Sequence, residues 1–200
     1  MNAQPTLICI PDISGFTEFM SDTEFELSAK VISTLLNKVI YANEIGLKLS
    51  EIEGDAVLFF KQGELPAFSK LVDQCKYFYT QFYKELDSVY KRNENHAESG
   101  NIRKMLGLKI ILHYGVSVGS VAIGKNIKLM GEDVITAHRL LKNKIRIDEY
   151  LLISDSLLSE YSDQDIASCF DWAPLREKDT SYEHIGDVSY SYISLEPLLD

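Results

Sequence analysis

The chain has 200 residues, 46% hydrophobic and 25% charged, which is an ordinary globular composition and enough length for one sizeable domain with a substantial core. A formal charge of −10 with no basic block argues against extended contact with nucleic acid or an anionic membrane, and no apolar run is long enough to cross a bilayer. Cys9, Cys75 and Cys169 are odd in number, widely spaced and set among apolar residues, and with no basic region leading into an apolar N-terminal core they read as buried free thiols of a cytoplasmic protein.

In chain order, Leu7 to Ile10 is short, continuously apolar and β-branched, the pattern of a central strand buried on both faces, and Gly15 breaks it. Thr23 stands as an N-cap before Leu27, Val31, Leu35 and Val39, whose spacing predicts a helix that Gly46 ends. Leu47–Glu53 and Ala56–Phe60 read as two strands folded back at Gly54-Asp55, a tight hairpin dipeptide. A long amphipathic helix follows Pro66, with Phe68, Leu71, Val72, Cys75, Phe78, Phe82, Leu86 and Val89 as its apolar stripe. Lys91 to Asn101 is polar and reads as an exposed loop. Leu108–Leu112 and Val116–Ile123 are predicted as a strand pair around His113-Tyr114-Gly115, followed by a helix over Glu132–Asn143. A strand over Tyr150–Ile153, a short helix over Ser154–Tyr161 and a closing hairpin over Tyr182–Leu195, turning at Gly186-Asp187, complete the chain. This β-α-β-β-α-β order with C-terminal additions is a ferredoxin-like split βαβ pattern of the α+β class, an antiparallel sheet carrying helices on one face.

Two acidic stretches stand out against that frame: Pro11-Asp12-Ile13-Ser14-Gly15-Phe16-Thr17 and Glu51-Ile52-Glu53-Gly54-Asp55. Each sits where an apolar strand gives way to a turn. In a split βαβ sheet the first and third strands lie side by side, so Asp12 and Asp55 can meet, and two carboxylates brought together suit a hard divalent cation that binds phosphates as its remaining ligands. Separately, each aspartate is also an ordinary turn or capping residue.

Three blocks resemble the class III nucleotidyl cyclases, the catalytic domains of adenylate and guanylate cyclases. They are Asp12–Thr17, Glu53-Gly54-Asp55, and Leu112–Gly115 followed by Gly131–Val134 and Ala137–Leu140, in the order and on the elements that family uses. The resemblance runs from Leu7 to about Leu195 and implies one cyclase-like domain over residues 1–200. It implies that Asp12 and Asp55, with the Ile13 carbonyl, bind two Mg²⁺ or Mn²⁺ ions, and that the amides of Gly15, Phe16 and Thr17 hold the terminal phosphates of a nucleoside triphosphate. Arg139 corresponds to the arginine that stabilises charge on the α-phosphate. A homodimer with composite sites is implied, because each active site in this family takes metal ligands from one domain and the arginine from the other. Glu51 and Lys128 fall at the base-selecting positions, and a carboxylate for N1–H with an ammonium for O6 favours GTP over ATP. The bland alternative is that Glu51 and Lys128 simply pair with each other, that Arg139 is solvated, and that His113 and His138 are packing residues.

Two departures from the family pattern bear on activity. Ile135 occupies the position of the asparagine that orients the ribose, and the Tyr182–Gly186 stretch lacks the phosphate-binding lysine, for which His184, Lys178 and Lys125 are the candidate replacements. Two readings follow: a metal-dependent cyclase forming a 3′,5′-cyclic nucleotide and pyrophosphate, or a catalytically degenerate cyclase-fold dimer that binds nucleotide as a regulatory module.

Overall fold

A computed structural model describes residues 3–124 and 126–199. Its elements are β1 (Gln4–Ser14), α1 (Phe16–Asp22), α2 (Phe25–Tyr41), β2 (Lys48–Glu53), β3 (Ala56–Gln62), α3 (Phe68–Arg92), α4 (Gly100–Met105), β4 (Gly107–Ile123), β5 (Asn126–Met130), α5 (Glu132–Leu140), β6 (Tyr150–Ser154), α6 (Asp155–Leu158), α7 (Asp163–Ala167), β7 (Arg176–Tyr182), β8 (Gly186–Ser194) and a closing 3₁₀ turn, Glu196–Leu199.

The main sheet runs β2-β3-β1-β4-β6-β8-β7, and β5 pairs with the distal part of β4 off this path. Every pairing is antiparallel except β4 with β6. The α+β split βαβ architecture is therefore the one the sequence predicts. Alternation along β1 supplies two cores. Leu7, Cys9 and Ile13 join the core with Leu27, Val31 and Leu35 of α2 and Leu71, Cys75, Phe78 and Phe82 of α3. Ile8 and Ile10 join a second core on the opposite face with Leu129 of β5 and Val134, Ala137 and Leu140 of α5. Helices thus cover both faces, in place of the single covered face expected, because α5 packs with β5 on the face opposite α2 and α3.

The long helix keeps its predicted stripe: all eight apolar positions are buried, and Phe78 stacks on Phe59 of β3 with ring centroids 5.5 Å apart. Gln74, buried on the same helix, serves the end of α2. Its Oε1 accepts from the amides of Glu44 (2.7 Å) and Ile45 (3.1 Å), and its Nε2 donates to the Ala42 carbonyl at 2.8 Å.

Three expectations are corrected. The predicted break at His113–Gly115 does not exist, since β4 is one strand of 17 residues that turns only at Gly124, where φ is 62°. α1 intervenes before α2, whose N-cap position is Glu24 and not Thr23, with no side-chain cap hydrogen bond. The expected loop over 91–101 gives way to α4 from Gly100. Cys9 and Cys75 are buried as expected, whereas Cys169 is half-buried, and all three are free thiols.

Candidate active site

β1 continues four residues past its apolar run, so that Asp12 lies within the strand, opposite Ala56 of β3 on one side and Lys109 of β4 on the other. The β2–β3 turn docks directly on this strand end: the Ile13 amide donates to the Asp55 carbonyl at 3.0 Å. Gly54, at φ 61°, makes the tight turn that brings Asp55 there. Asp12, Ile13 and Asp55 are thus gathered at one point by sheet register.

Lys109 completes the group, with its Nζ 3.7 Å from Asp12 Oδ2. Burial pushes the Asp12 carboxyl up to about 6; Lys109 opposes this and the neighbouring Asp55 carboxylate adds to it. Asp55 is raised as well, chiefly by burial, with its own backbone hydrogen bond and Lys109 opposing. Asp12 Oδ1 is buried and accepts no hydrogen bond. A buried carboxylate oxygen without a donor, next to a second carboxylate, is an arrangement a cation satisfies. The all-oxygen donor set fits Mg²⁺ or Mn²⁺.

Immediately after β1, Gly15 is left-handed (φ 77°) and heads α1, placing the amides of Phe16 and Thr17 at the turn. A side chain at Gly15 is sterically forbidden, because its Cβ would sit 1.8 Å from the Met105 carbonyl oxygen.

The base-selecting candidates form a second group. Lys128 Nζ lies 3.1 Å from Glu51 Oε2, so the two residues pair with each other; Glu51 raises the Lys128 pKa. They share a cavity of about 410 Å³ with Glu53, Leu129, Val134, Ile135 and His138. His138 Nδ1 stands 3.7 Å from Glu53 Oε2, and Glu51, Glu53 and His138 bring ligand-type atoms within 4.8 Å of one another. Ile135 is more than half exposed on this wall and supplies no polar group. Arg139 is exposed and, among the described residues, makes no ion pair and no hydrogen bond to either group.

Within one copy, no candidate replacement for the missing lysine is placed beside the aspartates among the described residues. Lys178 donates to the Lys144 carbonyl at 2.6 Å, His184 sits on the exposed β7–β8 turn beside Glu183, and Lys125 lies outside the described residues. The cation beside the aspartates is Lys109, which the sequence reading passed over. Its signal was a lone charge inside the apolar run Leu108–Leu112, meaningful only once β4 is known to lie against β1.

Solved structures share this fold. The guanylyl cyclase Cya2 superposes with a TM-score of 0.64 at 16% identity, covering 96% of this chain and 92% of that one. The adenylyl cyclase CyaB from P. aeruginosa gives 0.62 at 16% (96% and 94% covered), and the guanylate cyclase domain of RhGC from Catenaria anguillulae in complex with GTP gives 0.62 at 17% (96% and 97%). The fold is that of the class III adenylyl and guanylyl cyclase catalytic domains. Within that class of fold, the chain belongs to the family described as protein of unknown function (DUF2652), whose model matches residues 32–150. It is also 30% identical over 164 residues to the uncharacterized protein Rv2561/Rv2562 of Mycobacterium tuberculosis (strain ATCC 25618 / H37Rv), spanning 82% of this chain and 73% of that protein.

Proposed function

We propose that residues 1–200 act as one cyclase-like domain that binds a nucleoside triphosphate with divalent metal and converts it to a 3′,5′-cyclic nucleotide and pyrophosphate. The observation that carries this reading is the unpartnered, buried Asp12 Oδ1 beside Asp55 and Lys109. Asp12, Asp55 and the Ile13 carbonyl would hold two Mg²⁺ or Mn²⁺ ions. Bound there, the metal would supply a Lewis acid for the ribose 3′ oxygen and neutralise phosphate charge. The amides of Gly15, Phe16 and Thr17 would receive the terminal phosphates, and Lys109 would add the cation that the Tyr182–Gly186 stretch lacks. Arg139, from a second copy in a homodimer, would stabilise charge on the α-phosphate.

Guanine suits the Glu51–Lys128 pair because it can take over both partners, donating N1–H to the carboxylate and accepting from the ammonium at O6. Adenine would separate the pair without satisfying Glu51, so GTP is favoured over ATP. Ile135 favours a second reading, a module of the same fold that binds nucleotide and turns it over slowly or not at all.

The test is incubation of purified protein with Mn²⁺ and GTP or ATP, following cyclic product. The first reading expects cyclic GMP from the wild type and none from Asp55→Ala. Nucleotide binding without product over hours would overturn it in favour of the second.

A further inference from the structure

Glu51, Glu53 and His138 form a group of a different kind from the aspartate pair. Residues two apart on a strand share a face, so β2 sends both glutamates to one side. α5 sets His138 against them, one turn on from Val134 and Ile135 in the same cavity of about 410 Å³. One ligand-type atom from each of the three lies within 4.8 Å of the other two, and no other three His, Cys, Asp or Glu side chains converge so closely among the described residues. Backbone pairing fixes the frame. β2 is registered on β3 through Glu51 with Leu58 and Glu53 with Ala56, and the Ser50 hydroxyl donates to the Ile127 carbonyl of β5 at 3.3 Å.

The spacing suits one ion. Donors about 2.1 Å from a common metal stand roughly 3.0–3.4 Å apart in octahedral or tetrahedral order. His138 Nδ1 and Glu53 Oε2 are 3.7 Å apart, and a small rotation of the exposed Glu53 carboxylate closes the difference. Neither Glu53 nor His138 makes a hydrogen bond among the described residues, so neither surrenders one to a metal. Lys128 engages one oxygen of Glu51 at 3.1 Å and leaves the other open, offsetting one of the two carboxylate charges.

The imidazole decides which ion is chosen. Asp12, Asp55 and the Ile13 carbonyl offer oxygen alone, the donor type of Mg²⁺ and Mn²⁺. A nitrogen joined to two carboxylates shifts the preference to a softer ion of the first transition row, for which Zn²⁺ has the matching ligand set.

We propose that Glu51, Glu53 and His138 bind one Zn²⁺ ion, with water in its remaining position, and that this ion ties the β2–β3 hairpin to α5. Glu53 lies two residues before Asp55 and His138 one before Arg139, so the tie joins the two segments that carry those residues. While bound, the ion draws on Glu51 in competition with Lys128. The site stands on its own residues, whether or not the protein turns over nucleotide.

The test is isothermal titration calorimetry of Zn²⁺ into the full chain carrying Asp12→Asn/Asp55→Asn, which disables the other metal group, with Mg²⁺ in excess. One ion is expected to bind. His138→Ala and Glu53→Gln, both at solvent-facing positions, are each expected to weaken it by about tenfold or more, since partners that only orient a ligand already carry that much. Lys128→Met is expected to tighten it by freeing Glu51. The Ile135 amide, which bonds the Gly131 carbonyl at 3.3 Å, is expected to gain hydrogen-exchange protection with Zn²⁺, and not in His138→Ala. Affinity unchanged in both ligand variants means adventitious binding elsewhere and overturns the site. A loss in His138→Ala with none in Glu53→Gln means a lone histidine and overturns it equally, and an unchanged affinity in Lys128→Met removes Glu51 from the ligand set. Zinc bound by these residues with no added protection at Ile135 overturns the tie.

Discussion

Asp12 is held where its charge is unfavourable until something else arrives. Its carboxyl, pushed from 3.8 to about 6 mainly by burial, forfeits on the order of 3 kcal/mol when it ionises in the folded chain. Because the folded value lies above the unfolded one, this contribution is present in full below the unfolded pKa and is lost as pH rises through about 6. Metal-free protein is therefore expected to lose stability between pH 4 and 6.5, and Asp12→Asn to reduce that slope and raise stability at pH 7 by up to about 3 kcal/mol in chemical denaturation. A cation at the site repays the same cost, so adding Mn²⁺ is expected to stabilise the wild type and leave the variant unchanged. Ile135 makes the complementary prediction. If it stands where a ribose-orienting donor is needed, Ile135→Asn is expected to raise the initial rate of cyclic GMP formation by roughly 10²-fold. An unchanged rate would remove the idea that this position limits turnover.

The elements show which parts of this arrangement a sequence can disclose. The Gly54-Asp55 hairpin and the stripe on α3 were legible because each follows from local periodicity and turn chemistry. The 17-residue β4 was not, because Gly115 imitates a turn residue and the reason it is glycine lies elsewhere in the chain, in the Asp133 side chain that fills its place. α1 was missed because seven residues with only Phe19 buried make no pattern. Lys109 and the placing of His138 beside Glu53 depend on strand register and on a helix crossing, neither of which spacing reveals. Gln74 belongs to the same class: within the stripe it reads as a polar interruption, and in the fold it terminates α2. Gln74→Leu leaves two amides and a carbonyl near the helix end without partners, and is expected to cost about 2–4 kcal/mol in urea denaturation. A cost below 0.5 kcal/mol would show that the α2 end has no need of it.

Across the whole molecule, the aspartate group and the Glu51–Lys128 group occupy separate places, and Arg139 contacts neither among the described residues. A second copy is the simplest way to complete one site from both. The apolar side chains left exposed point the same way: Met130 and Ile135, 45% and 54% exposed, line the cavity that holds Glu51 and Lys128, and Ile52 and Ile127 are about half exposed on the neighbouring strands β2 and β5. Sedimentation equilibrium is expected to show a dimer, weakened by Ile127→Glu. A monomer at every concentration that supports activity would exclude composite sites. Metal binding tests the reading further upstream, since the enzyme and the binding module both require it. The direct measurement is electron paramagnetic resonance of Mn²⁺ titrated with protein at pH 7. The free-ion signal is expected to fall with the wild type and to stay undiminished with Asp12→Asn/Asp55→Asn. Equal uptake by both proteins would contradict a metal site built on these two aspartates.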